Sequence, residues 1–254
     1  MTTLKTLLLI LAILVILVGG KNGFKAIISF GLNFCLLFLS VILIAGGFSP
    51  IMISVLSGGC ILAITIYLSD CQETVANTAF FATVIVLALM VIMIIPFDHL
   101  VQIEGFSSED SEEVEAFNLA IGINFESLLI ATTILSTLGA IAEAAIAITS
   151  GMQEIIEQTP AISSQNLRKS GRTIGFQIMG MTFNTLFFGM FGGNLALFIL
   201  LDKLRSTFGY YLNSKIFVGE TFMVLYSAIA VIGVIGVAIE LMVRKVENQQ
   251  VKQD

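Results

Sequence analysis

Apolar residues run along this chain in long, unbroken blocks, separated by short clusters of glycine, proline and charge. Seven blocks cover roughly 4–20, 26–47, 51–69, 79–97, 124–149, 174–200 and 220–243. Each is near the ~20 residues that a helix needs to cross a ~30 Å hydrocarbon core. They are apolar all round instead of alternating, which predicts helices and excludes a porin-like barrel. Gly46, Gly47 and Pro50 mark a tight reversal, and Gly19, Gly20 and Gly23 with Lys21 and Lys25 separate the first block from the second. After Glu154 and Glu157 a helix ends at the Pro160 break, and Ser163 or Ser164 caps the next. The block 174–200 is long for one crossing, and "FGGN" at 191–194 leaves open a tilted helix or a helix followed by a re-entrant half. The expected fold is all-α, a polytopic membrane protein with about seven transmembrane helices in one domain over 1–254.

Composition sharpens this picture. Of 254 residues, 57% are hydrophobic and only 12% charged, against about 25% charged in a soluble domain. The connections 98–123, 150–173 and 201–219 are too small for a core of their own, so any work is done in the membrane or through partners. No Lys or Arg occurs between Lys25 and Arg168, and no basic stripe exists for nucleic acid. Lys/Arg bias places Lys21 and Lys25, Arg168, Lys169 and Arg172, and Arg244, Lys245 and Lys252 in the cytoplasm. The N-terminus then falls outside, as does the acidic segment 104–115, read as a solvated surface. The Arg168–Lys169–Arg172 cluster is expected to face anionic headgroups. Residues 4–18 read as a retained helix, because their small-residue cleavage pattern is poor.

Little of the usual site chemistry is present. Cys35, Cys60 and Cys71 have no CxxC or His–Cys pairing and read as small buried hydrophobes, and His99 alone builds no zinc site. Neither a metal nor a cofactor is expected. No nucleophile–base pair, phosphate loop or HExxH motif supports an enzyme.

One residue breaks the apolar pattern. Glu143 stands in the middle of "LGAIAEAAIAITSGMQE" (138–154), and a carboxylate there costs at least ~2.5–3.5 kcal/mol. Protonation or a hydrogen-bond partner reduces that cost. Ser136, Gly139, Ala140, Ala147 and Ser150 share its helical face, and such small residues predict close helix packing. On the sixth block Thr173, Gln177, Gly180 and Asn184 form a polar stripe, with Thr182 and Thr185 alongside. The expectation is a seam in which the Glu143 face packs on the Gln177–Asn184 face. Glu143, Gln177, Asn184, Thr182 and Thr185 are then candidates for a proton or substrate path, and Gly139, Ala140, Ala147 and Gly180 for helix packing. A carboxyl–amide contact that fixes helix register is the competing reading.

Two stretches, "GINFESLLIATTILSTLGAIAEAAIAITSGMQEI" and "TPAISSQNLRKSGRTIGFQIMGMTFNTLFFGMFGG", resemble bacterial YibE/F-like membrane proteins. The resemblance extends to "GGKNGFKAI" after the first block and so covers nearly the whole chain. It implies an aspartate where Glu143 stands, an Arg-Asp pair where Phe176 and Gln177 stand, and a threonine in place of Met181. It also implies an extracellular domain after the first span that this shorter form lacks. A hetero-oligomer with a full-length YibE/F-like paralogue is the partner so implied. A fainter likeness to the export family that includes SecD and SecF tilts the expectation toward proton-linked transport or export over a passive assembly subunit.

Overall fold

The computed structural model describes residues 2–101, 125–203, 207, 209 and 215–250. The acidic segment 104–115 lies outside them. Seven helices are present among the described residues: α1 (Thr2–Ala45), α2 (Pro50–Tyr67), α3 (Glu73–Val101), α4 (Phe125–Gln158), α5 (Ser164–Gly193), α6 (Leu195–Lys203) and α7 (Lys215–Gln250). All except the short α6 are long and apolar enough to span a membrane, which gives six.

The difference from seven expected spans lies in α1, where Gly20 takes a non-helical φ of 54° and ψ of −125°. A side chain there would be strained. A Cβ on Gly23 would collide with the main chain at Val15, eight residues earlier in sequence. The two residues would stand about 12 Å apart on a straight helix. The chain therefore doubles back, and Leu8, Leu11 and Val15 of the first arm face Ala26, Ile27 and Phe30 of the second. The blocks 4–20 and 26–47 are the two arms of this hairpin.

The next reversal is a glycine cap. Gly47, at φ 91°, donates to the Ile44 carbonyl at 3.0 Å while Phe48 donates to Leu43 at 3.2 Å. That pairing satisfies two carbonyls the helix end leaves open. Pro50 then opens α2 at a position that needs no N–H. At the start of α5, Ser163 is the N-cap and accepts from the Asn166 amide. The block 174–200 resolves into two helices: α5 ends at Gly193, Asn194 caps it, and α6 follows.

Helix α4 is the hub, packed on α2, α3, α5 and α7. Its buried residues Ile134, Leu138, Ile141, Ala145, Ile148 and Met152 recur at alternating spacings of four and three, the seam of a left-handed bundle. Glycine allows close approach at three points on this hub and its neighbours. Gly58 of α2 meets Leu138, Gly171 of α5 meets Met152 and Ile239, and a Cβ on Gly175 would lie 2.6 Å from Ile235. The packing glycines are thus not those expected from the Glu143 face.

The two ends of the bundle are cross-linked differently. At the basic end Arg168 grips Glu240 of α7 with two bonds, Nε–Oε1 at 2.9 Å and Nη2–Oε2 at 2.8 Å. Arg168, expected to face headgroups with Lys169 and Arg172, is thus paired with an acid on α7 while staying part-exposed. Asn22 and Lys25 at the hairpin tip bond Asp70, and Gln72 donates to Glu157 at 2.8 Å. The opposite end carries the turn at 46–49, the start of α4 and the break at Asn194. Two cysteines also depart from expectation: Cys35 and Cys60 are exposed.

Candidate functional site

The polar residues singled out in the sequence sit on α4 and α5. Glu143 stands midway along the apolar stretch Glu126–Gln158. It is exposed, and Thr132, Ser136, Gly139 and Ala147 are exposed with it. These positions lie four, three, four and four residues apart, so they form one stripe along the outer side of α4. A Cβ on Gly139 would meet nothing within 4 Å. Ala140, at the margin of the stripe, is the exception and rests against the core.

On α5, Thr173, Gln177, Gly180, Asn184 and Thr185 are likewise exposed, and a Cβ on Gly180 meets nothing. The two threonine hydroxyls are spent on their own helix, Thr173 donating to Lys169 and Thr185 to Met181. Thr182 alone of the path candidates is buried. The expected seam is therefore not formed within the chain. Helices α4 and α5 do pack on each other, but through other residues: Gly151 with Ile174, Met152 with Gly171, and Ile148 with Gly175.

The reason is geometric. One face of α4 must serve four neighbouring helices, and its large branched residues fill that volume better than Gly139 or Ala147. The small, polar face is left over. Glu143 has no hydrogen-bond partner among the described residues, and neither has Gln177 or the Asn184 side chain. In a bilayer these groups would face hydrocarbon, where an unpaired polar group costs free energy.

A second acid is less visible in the sequence. Asp98 lies at the end of an apolar run, just before His99, and is 1% exposed. It extends the buried row Val86, Met90, Ile94 by one further step of four residues, which aims it inward. Tyr226 of α7 donates to its Oδ1 at 2.9 Å, while its Oδ2 has no partner among the described residues. The next residue, His99, pairs through Nδ1 with Oε1 of Glu126 at 2.8 Å. Consecutive residues at the end of α3 thus tie it to α7 and to α4. No group of three or more His, Cys, Asp or Glu able to hold a metal occurs among the described residues.

Helices α4, α5 and α7 also leave a groove of about 330 Å³ towards the same end of the bundle, away from the basic one, touched by Ser136, Asn194, Glu220 and Ser227. Sequence reasoning passed over Glu220 because it falls on the edge of an apolar block. Its carboxyl has no partner among the described residues.

Comparison with curated proteins returns no match, and neither does comparison with solved structures. The model of one family, described as YibE/F-like protein, matches residues 7–247, almost the whole length. That match, together with the six apolar helices among the described residues, shows that the chain belongs to the YibE/F-like family of membrane proteins.

Proposed function

We propose that the chain is a transport or export component of the bacterial cytoplasmic membrane, proton-linked through Glu143, and that it works in a complex with a second membrane protein. The observation that carries this reading is the exposed mid-span carboxyl on a stripe of small residues. Left against lipid it would cost at least ~2.5–3.5 kcal/mol, and intramembrane acids face a bundle interior or a watered cavity. A partner helix laid on the α4 stripe provides such surroundings, and small residues admit it closely. A longer YibE/F-like paralogue is the natural candidate, since it would bring the charged pair that Phe176 and Gln177 replace here. In this reading the N-terminus lies outside and the C-terminus in the cytoplasm, from the Lys/Arg bias. Catalytic chemistry plays no part in it.

A second reading, a non-transporting assembly subunit, draws on the exposed amides of Gln177 and Asn184, which suit hydrogen-bonded helix contacts. Paired substitutions separate the two. For a transporter, Glu143→Gln abolishes proton-coupled activity in cells while abundance and partner recovery hold. For an assembly subunit, Glu143→Gln is tolerated and Glu143→Leu lowers abundance. Purification from the native membrane with no YibE/F-like relative attached would remove the paralogue from either reading.

A further inference from the structure

The groove between α4, α5 and α7 has a lining of one chemical sense. Its walls include Met190 and Met223, and its polar atoms come from Ser136, Asn194, Glu220 and Ser227. Three of these four have already committed hydrogens to their own helices. Ser136 Oγ donates to the Thr133 carbonyl at 3.0 Å, Ser227 Oγ to Met223 at 2.9 Å, and Asn194 Nδ2 to Met190 at 3.1 Å. A hydroxyl has one hydrogen to give, so both serines now present oxygen only. Asn194 keeps one N–H and its carbonyl oxygen. Among the described residues Glu220 is the one ionisable side chain on the lining, and as a carboxylate it only accepts.

Size and shape add to the electrostatics. About 330 Å³ lies at the small end of the ~300–1,000 Å³ typical of small-molecule sites. Gly189 and Gly193 line it, and a Cβ on either would meet nothing within 4 Å. Their missing side chains hold the space open. An apolar trough with a carboxylate and an excess of oxygen acceptors attracts a cation that carries hydrogen-bond donors. Bare metal ions are poorly served by it, because a single carboxylate with three neutral oxygen groups falls short of the ~6–8 oxygen ligands a calcium ion takes, and no second anionic group is among them.

We propose that this groove binds a small organic ammonium ion, with N–H groups bonded to Glu220 and the serine oxygens and a compact apolar body against Met190 and Met223. The site does not involve Glu143 and stands apart from the transport reading. It can be tested by isothermal titration of the full chain in lipid nanodiscs with 2-phenylethylammonium, subtracting the heat of empty nanodiscs. The expected result is saturable one-site binding, weakened about tenfold or more by Glu220→Gln through loss of a charged hydrogen bond. Gly189→Leu, which fills the trough from an open position, abolishes binding, while Glu143→Gln leaves it unchanged. Phenyltrimethylammonium, lacking N–H donors, binds more weakly, and 3-phenylpropionate does not bind. Absence of saturable heat above empty nanodiscs would overturn the proposal. So would an affinity that survives both Glu220→Gln and Gly189→Leu, or one that disappears with Glu143→Gln in protein whose melting is unaltered.

Discussion

The two long faces of α4 are built from the same apolar stretch and meet opposite fates. One face, from Ile134 through Ile141 and Ile148 to Met152, is fully buried among four helices. The other, from Ser136 through Gly139 and Glu143 to Ala147, stays exposed among the described residues. In water the polar face would turn outward for solvation. In a membrane lipid tails are as apolar as leucine, so hydrophobicity does not choose the inside. Side-chain volume does. The branched residues fill the space between helices, and the small face with its acid remains for something else to cover.

Several substitutions bear on that contrast, and the largest effect belongs to the buried face. Ile148→Ala leaves a cavity at a fully buried site and should cost about 2–5 kcal/mol, read as reversible unfolding in mixed micelles. Ser136→Ala on the outer face should fall within about 0.5 kcal/mol of the parent. A parity of these two values would end the distinction between the faces.

Helix α5 offers the same comparison with glycines. Gly175→Leu must displace Ile235, whose Cγ2 lies 2.6 Å from the new Cβ, and overpacking of this kind costs about 1–3 kcal/mol. Gly180→Leu has open space and should leave the melting of the isolated chain unchanged. If the open face is covered by a partner in the native membrane, Gly180→Leu or Gly139→Leu should nevertheless reduce recovery of that partner. A leucine tolerated in both settings would argue that lipid covers the stripe.

The ends of the bundle give smaller effects. Tyr226→Phe strips the hydroxyl from buried Asp98, leaving both carboxyl oxygens without a partner, and should cost about 1–3 kcal/mol. In an Asp98→Leu background the same change should cost much less, and an unchanged cost would show that the tyrosine acts through packing alone. The smallest effect is expected for Arg168→Gln. Its two bonds to Glu240 lie in a part-exposed setting, where ion pairs contribute little and fade with added salt. Parent and variant should differ slightly in melting at low salt and converge at high salt.

The hairpin and the buried acid show where sequence reasoning was strong and where it stopped. Gly19, Gly20 and Gly23 announced a break between two apolar arms, and Gly20 and Gly23 are the residues that make it. Ser163 or Ser164 announced a cap, and Ser163 is the one that makes it. Asp98 gave no such notice. Its buried row Val86, Met90, Ile94 runs beside equally apolar Leu87, Val91 and Ile95, so no periodicity distinguished inside from outside. The same lack of contrast hid which face of α4 packs, and small residues around Glu143 suggested an internal contact that the chain does not make. Glu220 went unnoticed because its importance depends on α4 and α5, distant in sequence, forming the other walls of its groove.

The sequence alone determined the helical class, the membrane setting and the reversals. Each depends on local facts: the length of an apolar run against the thickness of a bilayer, and the conformational freedom of glycine and proline. Only the tertiary structure decided that the Glu143 face is open, that Asp98 is enclosed, that Arg168 is bound to Glu240, and that Glu220 overlooks a groove. Those outcomes follow from how side-chain volumes fill the space between helices, a competition among distant segments that no local pattern of apolar residues records.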